Sequence, residues 1–304
     1  MQGDRISIFK KIRKVIPAVG FVLILFFILS CFNIPEILHK IKNLERSYLL
    51  IAFALSCSQI IVATLRFYLF LKSTNNQYTF RICLKAVCNA IMYNCFLPSK
   101  AGDFLKVIVL TKNNNRRIDL SYVVLCERII DIFSLVLIAL TGLIIAQRFY
   151  LFIFTLGSLV LFIMLSTIIF YLSKHWRIEK YIDSLKVTCI EFRKNLRFSF
   201  LAFLTCVLFW SINITIITTL FLSAGINISL NQIMSLWPIS IIIGILPISI
   251  SGFGSRDITF ISLIDMPEIS ESVLTATFLY TANLYWLLGI ISAIIIVSKK
   301  LKNE

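Results

Sequence analysis

Long apolar runs separated by short polar segments dominate this chain. Six of the runs reach or approach the roughly 20 residues that an α-helix needs to cross a bilayer. They cover residues 15–32, 48–71, 120–146, 149–172, 198–223 and 272–297. The pattern therefore predicts an all-α integral membrane protein with six full spans.

Two shorter apolar segments, 82–97 and 233–246, run directly into polar sequence. The first meets LPSKAGD at 97–103, and the second meets LPISISGFGSRD at 246–257. A backbone broken by Pro and Gly survives at membrane depth only where it is buried in protein or lines a polar cavity. Each segment is interpreted as a re-entrant hairpin, with eight full spans as the alternative. The breaks themselves are assigned to Pro98, Gly102, Pro247, Gly252 and Gly254.

Lys and Arg are unevenly distributed along the chain, and basic loops stay in the cytoplasm. If the amino terminus is inside and both short segments are hairpins, most loop bases fall on the cytoplasmic side. The order span, span, hairpin, span then occurs twice, over 15–146 and 149–298, and the two halves begin at opposite faces. This predicts one transmembrane domain over 1–304, built as an inverted repeat, with both termini on the cytoplasmic side of the inner or plasma membrane.

Residues 173–199 form the one sizeable polar insertion of the sequence. Apolar residues recur within it at alternating spacings of four and three, among several bases. These residues are Ile178, Ile182, Leu185, Cys189, Phe192 and Leu196. The pattern favours either an amphipathic helix on anionic cytoplasmic lipid or a solvated connector.

Composition removes several classes of function. The chain is 59% hydrophobic, and its net charge of +15 is explained by the orientation rule, so we do not interpret it as nucleic-acid binding. Its eight cysteines lack metal-type spacing and mostly lie in apolar segments, where they act as small hydrophobes. The sequence predicts neither a metal centre nor another cofactor.

Three charged residues interrupt the run 120–146. Glu127 and Asp131 are four residues apart and Arg128 and Asp131 are three apart, so one helix face carries both signs. A charge at the centre of a membrane helix costs about 2.5 to 3.5 kcal/mol on insertion scales, and such groups usually face a partner or a water-filled path. The alternative is a position near the cytoplasmic interface, where the charges meet water.

Each break also carries a base and an acid: Lys100 with Asp103, and Arg256 with Asp257. Helices that begin after the breaks would present N–H groups and positive dipole ends to an anion, and the two bases would bind a phosphate head group. The acids would orient the bases or accept an amine from the lipid. Alternatively, these residues pair only to close the fold. The predicted substrate-binding residues are Lys100, Asp103, Glu127, Arg128, Asp131, Arg256 and Asp257.

Three motifs together resemble the flippase-like transmembrane domain of lysylphosphatidylglycerol synthases. LPSKAGD is similar to that family's Leu-Pro-Gly-Arg-Ala-Gly-Glu segment, and CERIID at 126–131 to its Glu-Arg-x-x-Asp helix. LPISISGFGSRD is similar to its Pro-x-Ser-x-Gly-Gly-x-Gly-x-Arg-Glu segment. The chain departs from the pattern at Lys100, Asp103, Ser251 and Asp257.

The resemblance implies a lipid-translocating module without enzymatic activity, because the soluble synthase domain is not part of this sequence. The expected cargo is a membrane phospholipid, in plain or aminoacylated form, or a polyprenyl phosphate. A separate lipid-modifying synthase or glycosyltransferase is an expected partner. The alternative is a membrane subunit or accessory protein of polyprenyl-linked glycan or glycolipid synthesis.

Overall fold

The computed structural model describes residues 35, 40–97, 100–111, 117–153, 155–157, 179–246, 249 and 251–300. This part of the chain is helical and has no β-strand, which confirms the all-α class. Its α-helices are α1 Arg46–Ser73, α2 Phe80–Asn94, α3 Leu105–Leu110, α4 Arg117–Ile145, α5 Glu179–Lys194, α6 Leu196–Ser223, α7 Leu230–Ile245, α8 Ser255–Ile264, α9 Ser270–Thr281 and α10 Leu288–Lys300. Shorter 3₁₀ segments occur at Ala101–Phe104 and Pro267–Ile269, and a π-helical segment at Ala282–Leu287.

Within the described ranges, four helical stretches are long and apolar enough to cross a bilayer. They are Arg46–Ser73, Leu120–Ile145, Leu196–Ser223 and Pro267–Ser298. Each corresponds to one of the six predicted spans. The predicted span at 15–32 lies outside the described residues, and so does the one at 149–172 apart from helical residues 149–153 and 155–157. The total number of spans therefore stays a prediction.

Helices α1 and α6 pack against each other in an antiparallel and reciprocal manner. The backbone N–H of Glu45, just before α1, donates to the carbonyl of Ser223 at the end of α6 over 3.0 Å. The side-chain amide of Asn195, just before α6, donates to the backbone carbonyl of Ser73 at the end of α1, also over 3.0 Å. Each helix thus uses the residue before its start to satisfy a carbonyl that the other leaves at its end.

At each break the chain folds back onto the helix before it. The 3₁₀ segment and α3 pack on α2, and α8 packs on α7. A Cβ at Gly102 would lie 2.6 Å from Asn94 Oδ1, and a Cβ at Gly244 would lie 3.5 Å from Gly252 Cα, so close approach closes both turns. Helices α2 and α7 have 15 and 16 residues, or about 22 and 24 Å, which is less than the roughly 30 Å of hydrocarbon.

The two breaks also contact each other. The Ser251 hydroxyl donates to the Cys95 carbonyl over 3.1 Å. In addition, α2 packs on α10, and α7 packs on α4, so that each helix before a break contacts a long helix from the other half of the sequence. The two breaks therefore meet in the fold, while their depth in a bilayer stays a prediction.

The predicted amphipathic segment 173–199 contains helix α5, which packs on α4 and α6. Among the predicted apolar positions, Phe192 is half buried and its ring centroid lies 5.4 Å from that of Phe70, whereas Cys189 and Leu196 are exposed. The apolar positions therefore divide between packing on the helices and an exposed face. Contact of that face with lipid stays a prediction.

Candidate functional site

The first break contains a residue with a left-handed backbone conformation. Lys100 has φ 52° and immediately precedes the 3₁₀ segment that begins at Ala101. A left-handed conformation is uncommon for residues other than Gly, and it reverses the chain within a few residues. Asp103 and Lys106 follow, three residues apart in the sequence. The helical turn between them brings the ammonium group of Lys106 to 3.3 Å from the carboxylate of Asp103.

Helix α4 brings Glu127 against bases from two other helices. Glu127 Oε1 accepts from Arg66 Nε of α1 over 3.2 Å, and Lys106 Nζ of α3 lies 2.9 and 2.8 Å from the two carboxylate oxygens. Neither Arg66 nor Lys106 was among the predicted site residues, although both are bases inside apolar segments. A base inside a membrane segment usually has a partner, and that rule is the sequence signal by which both could have been found.

Asp131 and Asp103 complete the network. Asp131 accepts from Arg66 Nη1 over 2.6 Å, from Arg128 Nη1 over 3.2 Å and from Trp210 Nε1 over 3.0 Å. Asp103 Oδ2 lies 2.9 Å from Arg128 Nη2. The structure therefore brings together the predicted residues Asp103, Glu127, Arg128 and Asp131 in one buried cluster that connects α1, α3, α4 and α6.

This cluster is balanced in charge. It contains three acids, each facing at least two bases, and three bases, each facing at least two acids; its members are Arg66, Asp103, Lys106, Glu127, Arg128 and Asp131. Glu127 is fully buried and Arg66 is 3% exposed. A buried charge persists only where it is paired and hydrogen-bonded, and this mutual pairing meets that requirement.

Lys100 differs from the other bases at this site. No carboxylate of the described residues forms an ion pair with its ammonium group, which lies over the Trp210 ring at 5.1 Å from the centroid. A cation over an aromatic face gains modest electrostatic stabilisation but is not neutralised. Lys100 thus adds a positive charge beside an otherwise balanced cluster.

A cavity of about 100 Å³ opens beside Lys100 and the cluster. Polar and charged side chains line it, including Arg66, Asn94, Lys100, Asp103, Lys106 and Arg128. Apolar side chains line it as well, including Ala63, Val87, Ile91, Leu284 and Leu288. Ligand sites typically combine an apolar lining with a few convergent polar groups, and this cavity suits a ligand with both a charged and an apolar portion.

The second break is organised around its own residues. Asp257 Oδ2 accepts from the Gly254 backbone N–H over 2.8 Å and thereby caps the start of α8. Arg256 Nε donates to Asp257 Oδ1 over 2.8 Å, and its Nη2 donates to Thr281 over 2.7 Å. Gly254 has φ 83°, a conformation that favours glycine. The N–H groups expected to face an anion here are thus partly occupied by the protein's own carboxylate.

Aromatic rings enclose the Arg256 guanidinium. Its central carbon lies 4.6 Å from the Tyr280 ring centroid and 5.3 Å from that of Trp237. Both rings are hydrogen-bonded to the buried side-chain amide of Asn213. Its Nδ2 donates to the Tyr280 hydroxyl over 2.8 Å, and its Oδ1 accepts from Trp237 Nε1 over 3.3 Å. This surrounding fixes Arg256 in the core and leaves it little freedom to bind a ligand.

A smaller cavity of about 20 Å³ lies between the two breaks. Asn94, Lys100 and Tyr285 line both this cavity and the larger one, while Arg256 and Gly252 line the smaller one only. Lys100 and Arg256 therefore border a common space. Pro98 and Pro247 lie outside the described residues, and within these no group of His, Cys, Asp or Glu is placed to hold a metal.

Comparison with known proteins adds to this geometry. No curated protein matches the chain. The family model described as the lysylphosphatidylglycerol synthase TM region matches residues 14–292, which is most of the sequence and includes every residue of the charged cluster. The expected resemblance is confirmed: the chain belongs to the family of the lysylphosphatidylglycerol synthase TM region.

Proposed function

We propose that this membrane protein of a lipid-related family translocates a phosphate-containing lipid between the two leaflets. The observation that carries the proposal is the cavity beside Lys100, where a cation with no ion pair among the described residues adjoins apolar side chains. A phosphate head group needs a positive partner, and the adjoining glycerol and acyl carbons need apolar contact. The cavity offers both in one space.

The packing of the helices supports a transport mechanism based on alternating access. The reciprocal α1–α6 contact and the cross packing of α2 on α10 and of α7 on α4 are the relations that an inverted repeat produces. In transporters of that type, the repeats move against each other around a site formed by broken helices. The two breaks meet at Ser251 and Cys95, so movement between the halves would change access to the cavity.

The remaining parts of the proposal concern location and partners. The protein acts in the inner or plasma membrane with both termini in the cytoplasm, because the basic loops favour that orientation. It has no catalytic role, and a separate synthase or glycosyltransferase supplies its lipid. Both a phospholipid and a polyprenyl phosphate fit the phosphate chemistry of the site.

Leaflet exchange in liposomes tests this function. The purified full chain is reconstituted with fluorescent phosphatidylglycerol or polyprenyl phosphate, and the fraction of label in the outer leaflet is followed by dithionite quenching. We expect exchange with the wild type and a severalfold slower rate with Lys100→Gln, because the cation that adjoins the head group is lost.

A matched control is Lys85→Gln, which removes an exposed lysine from α2 and leaves the cavity unchanged. Exchange with this control should equal that of the wild type. Reconstituted folded protein that moves none of these lipids would refute the transport function and favour a role as an accessory subunit of lipid-linked glycan synthesis.

A further inference from the structure

The three acids beside the cavity are already neutralised. Asp103 lines the cavity, yet its two carboxylate oxygens lie 3.3 Å from Lys106 and 2.9 Å from Arg128. Glu127 and Asp131 likewise each face two or more bases. An amine on a ligand would have to compete with these bases for a carboxylate. The site is therefore poorly suited to a cationic head group.

Several hydrogen-bonding groups at the same cavity lack a protein partner within the described structure. Asn94 Oδ1, Asp103 Oδ2 and Arg128 Nε are buried and take part in no hydrogen bond, although Asp103 Oδ2 is ion-paired with Arg128 Nη2. The Asn94 amide can direct its NH₂ group toward the cavity by rotation about its last side-chain bond. Together with the Lys100 ammonium group, Asn94 and Arg128 supply donors that match the acceptor oxygens of a phosphate.

We propose that the cavity selects lipids by the net charge of the head group: it accepts an anionic phosphate lipid and disfavours the same lipid once an aminoacyl group has made it cationic. This inference rests on the proposed function and specifies its cargo. Because the cluster is balanced, the charge of Lys100 sets the sign of the site. An anionic phosphate would neutralise that charge, whereas an added ammonium group would be repelled by it.

Competitive lipid binding to the full chain tests the selectivity directly. The detergent-solubilised protein is mixed with phosphatidylglycerol and lysyl-phosphatidylglycerol of identical acyl chains, and the bound lipids are quantified by native mass spectrometry. Polyprenyl phosphate is a second anionic probe that separates the two lipid sources. We expect the anionic lipid to be preferred by on the order of tenfold.

Variants at Lys100 connect that preference to the site. Lys100→Gln should reduce it to near unity, and Lys100→Glu should reverse it toward the cationic lipid. Lys85→Glu, a matched change at an exposed position of α2, should keep the wild-type preference. Equal or tighter binding of lysyl-phosphatidylglycerol by the wild type, or an unchanged preference in Lys100→Glu, would overturn the inference.

Binding and exchange together separate this inference from the function on which it rests. Preferential binding of the anionic lipid without leaflet exchange would refute transport and leave the charge selectivity standing. Exchange of lysyl-phosphatidylglycerol as fast as phosphatidylglycerol would support transport and contradict the selectivity.

Discussion

The two breaks carry the same residue types, a base and an acid beside glycine, but they use them differently. At the first break, Asp103 and Lys106 pair with α4, which also pairs with Arg66 of α1. At the second break, Arg256 pairs with its own neighbour Asp257, which caps its own helix. The ion pairs of the first network join several helices, whereas the ion pair of the second break lies within one helix. Similar motifs thus form ion pairs between helices at one break and a local ion pair at the other.

The largest effect is expected from Glu127→Gln. This change leaves Arg66 and Lys106 buried with one carboxylate fewer, and breaking a buried pair typically costs about 3 to 5 kcal/mol. We expect a loss of that size in the free energy of unfolding, measured by tryptophan fluorescence in mixed micelles. Glu268→Gln, at an exposed position, should stay within about 0.5 kcal/mol of the wild type. Equal effects at the two positions would contradict the network.

A slightly smaller effect is expected from Asp257→Asn, about 3 kcal/mol, because Arg256 loses its carboxylate. Adding Arg256→Gln should recover much of that loss, since no uncompensated charge then remains in this pair. The equivalent double variant at the first break, Glu127→Gln with Arg66→Gln, should recover less because Lys106 still lacks that carboxylate. Unfolding measurements on both double variants check the contrast, and equal recovery would show that the two regions are organised alike.

The sequence was informative about the fold wherever hydrophobic length decides structure. The four long apolar helices follow from span length, and they were predicted with nearly the observed bounds. Partners across helices were not predicted, because pairing depends on which helix faces meet. Lys106 was assigned to no role, although it contacts two of the predicted acids.

The same reason explains why Lys100 and Arg256 were predicted to act alike. Lys100 immediately precedes a short helical segment and Arg256 lies in the first turn of another, so the local sequence does not distinguish their chances of binding phosphate. The difference lies in tertiary packing: rings of Trp237 and Tyr280 enclose Arg256, whereas Lys100 borders a cavity. Hydrophobic periodicity within one segment of the sequence contains no information on which side chains from other helices surround a residue.

A smaller effect is expected from Gly142→Ala, which tests the packing that joins the two regions. A Cβ at Gly142 of α4 would lie 2.6 Å from backbone atoms of Met234 and Ser235 in α7, so the two helices must separate. Overpacking of this kind costs about 1 to 3 kcal/mol in unfolding free energy. Gly157→Ala is the matched control because nothing lies within 4 Å of its added Cβ. A neutral Gly142→Ala would show that α4 and α7 move independently.

The smallest effect on stability is expected from Lys100→Gln. Lys100 forms no ion pair within the described part of the chain, and its contact with the Trp210 ring is of a type that contributes about 0.5 to 1 kcal/mol at exposed sites. The unfolding free energy should therefore fall by no more than about 1 kcal/mol, while lipid exchange falls severalfold. A loss as large as that of Glu127→Gln would place Lys100 within the balanced network and remove the basis for an anion site. A small loss in stability with a large loss in exchange separates binding from folding at the first break, a separation that Arg256, enclosed in the core, does not permit at the second.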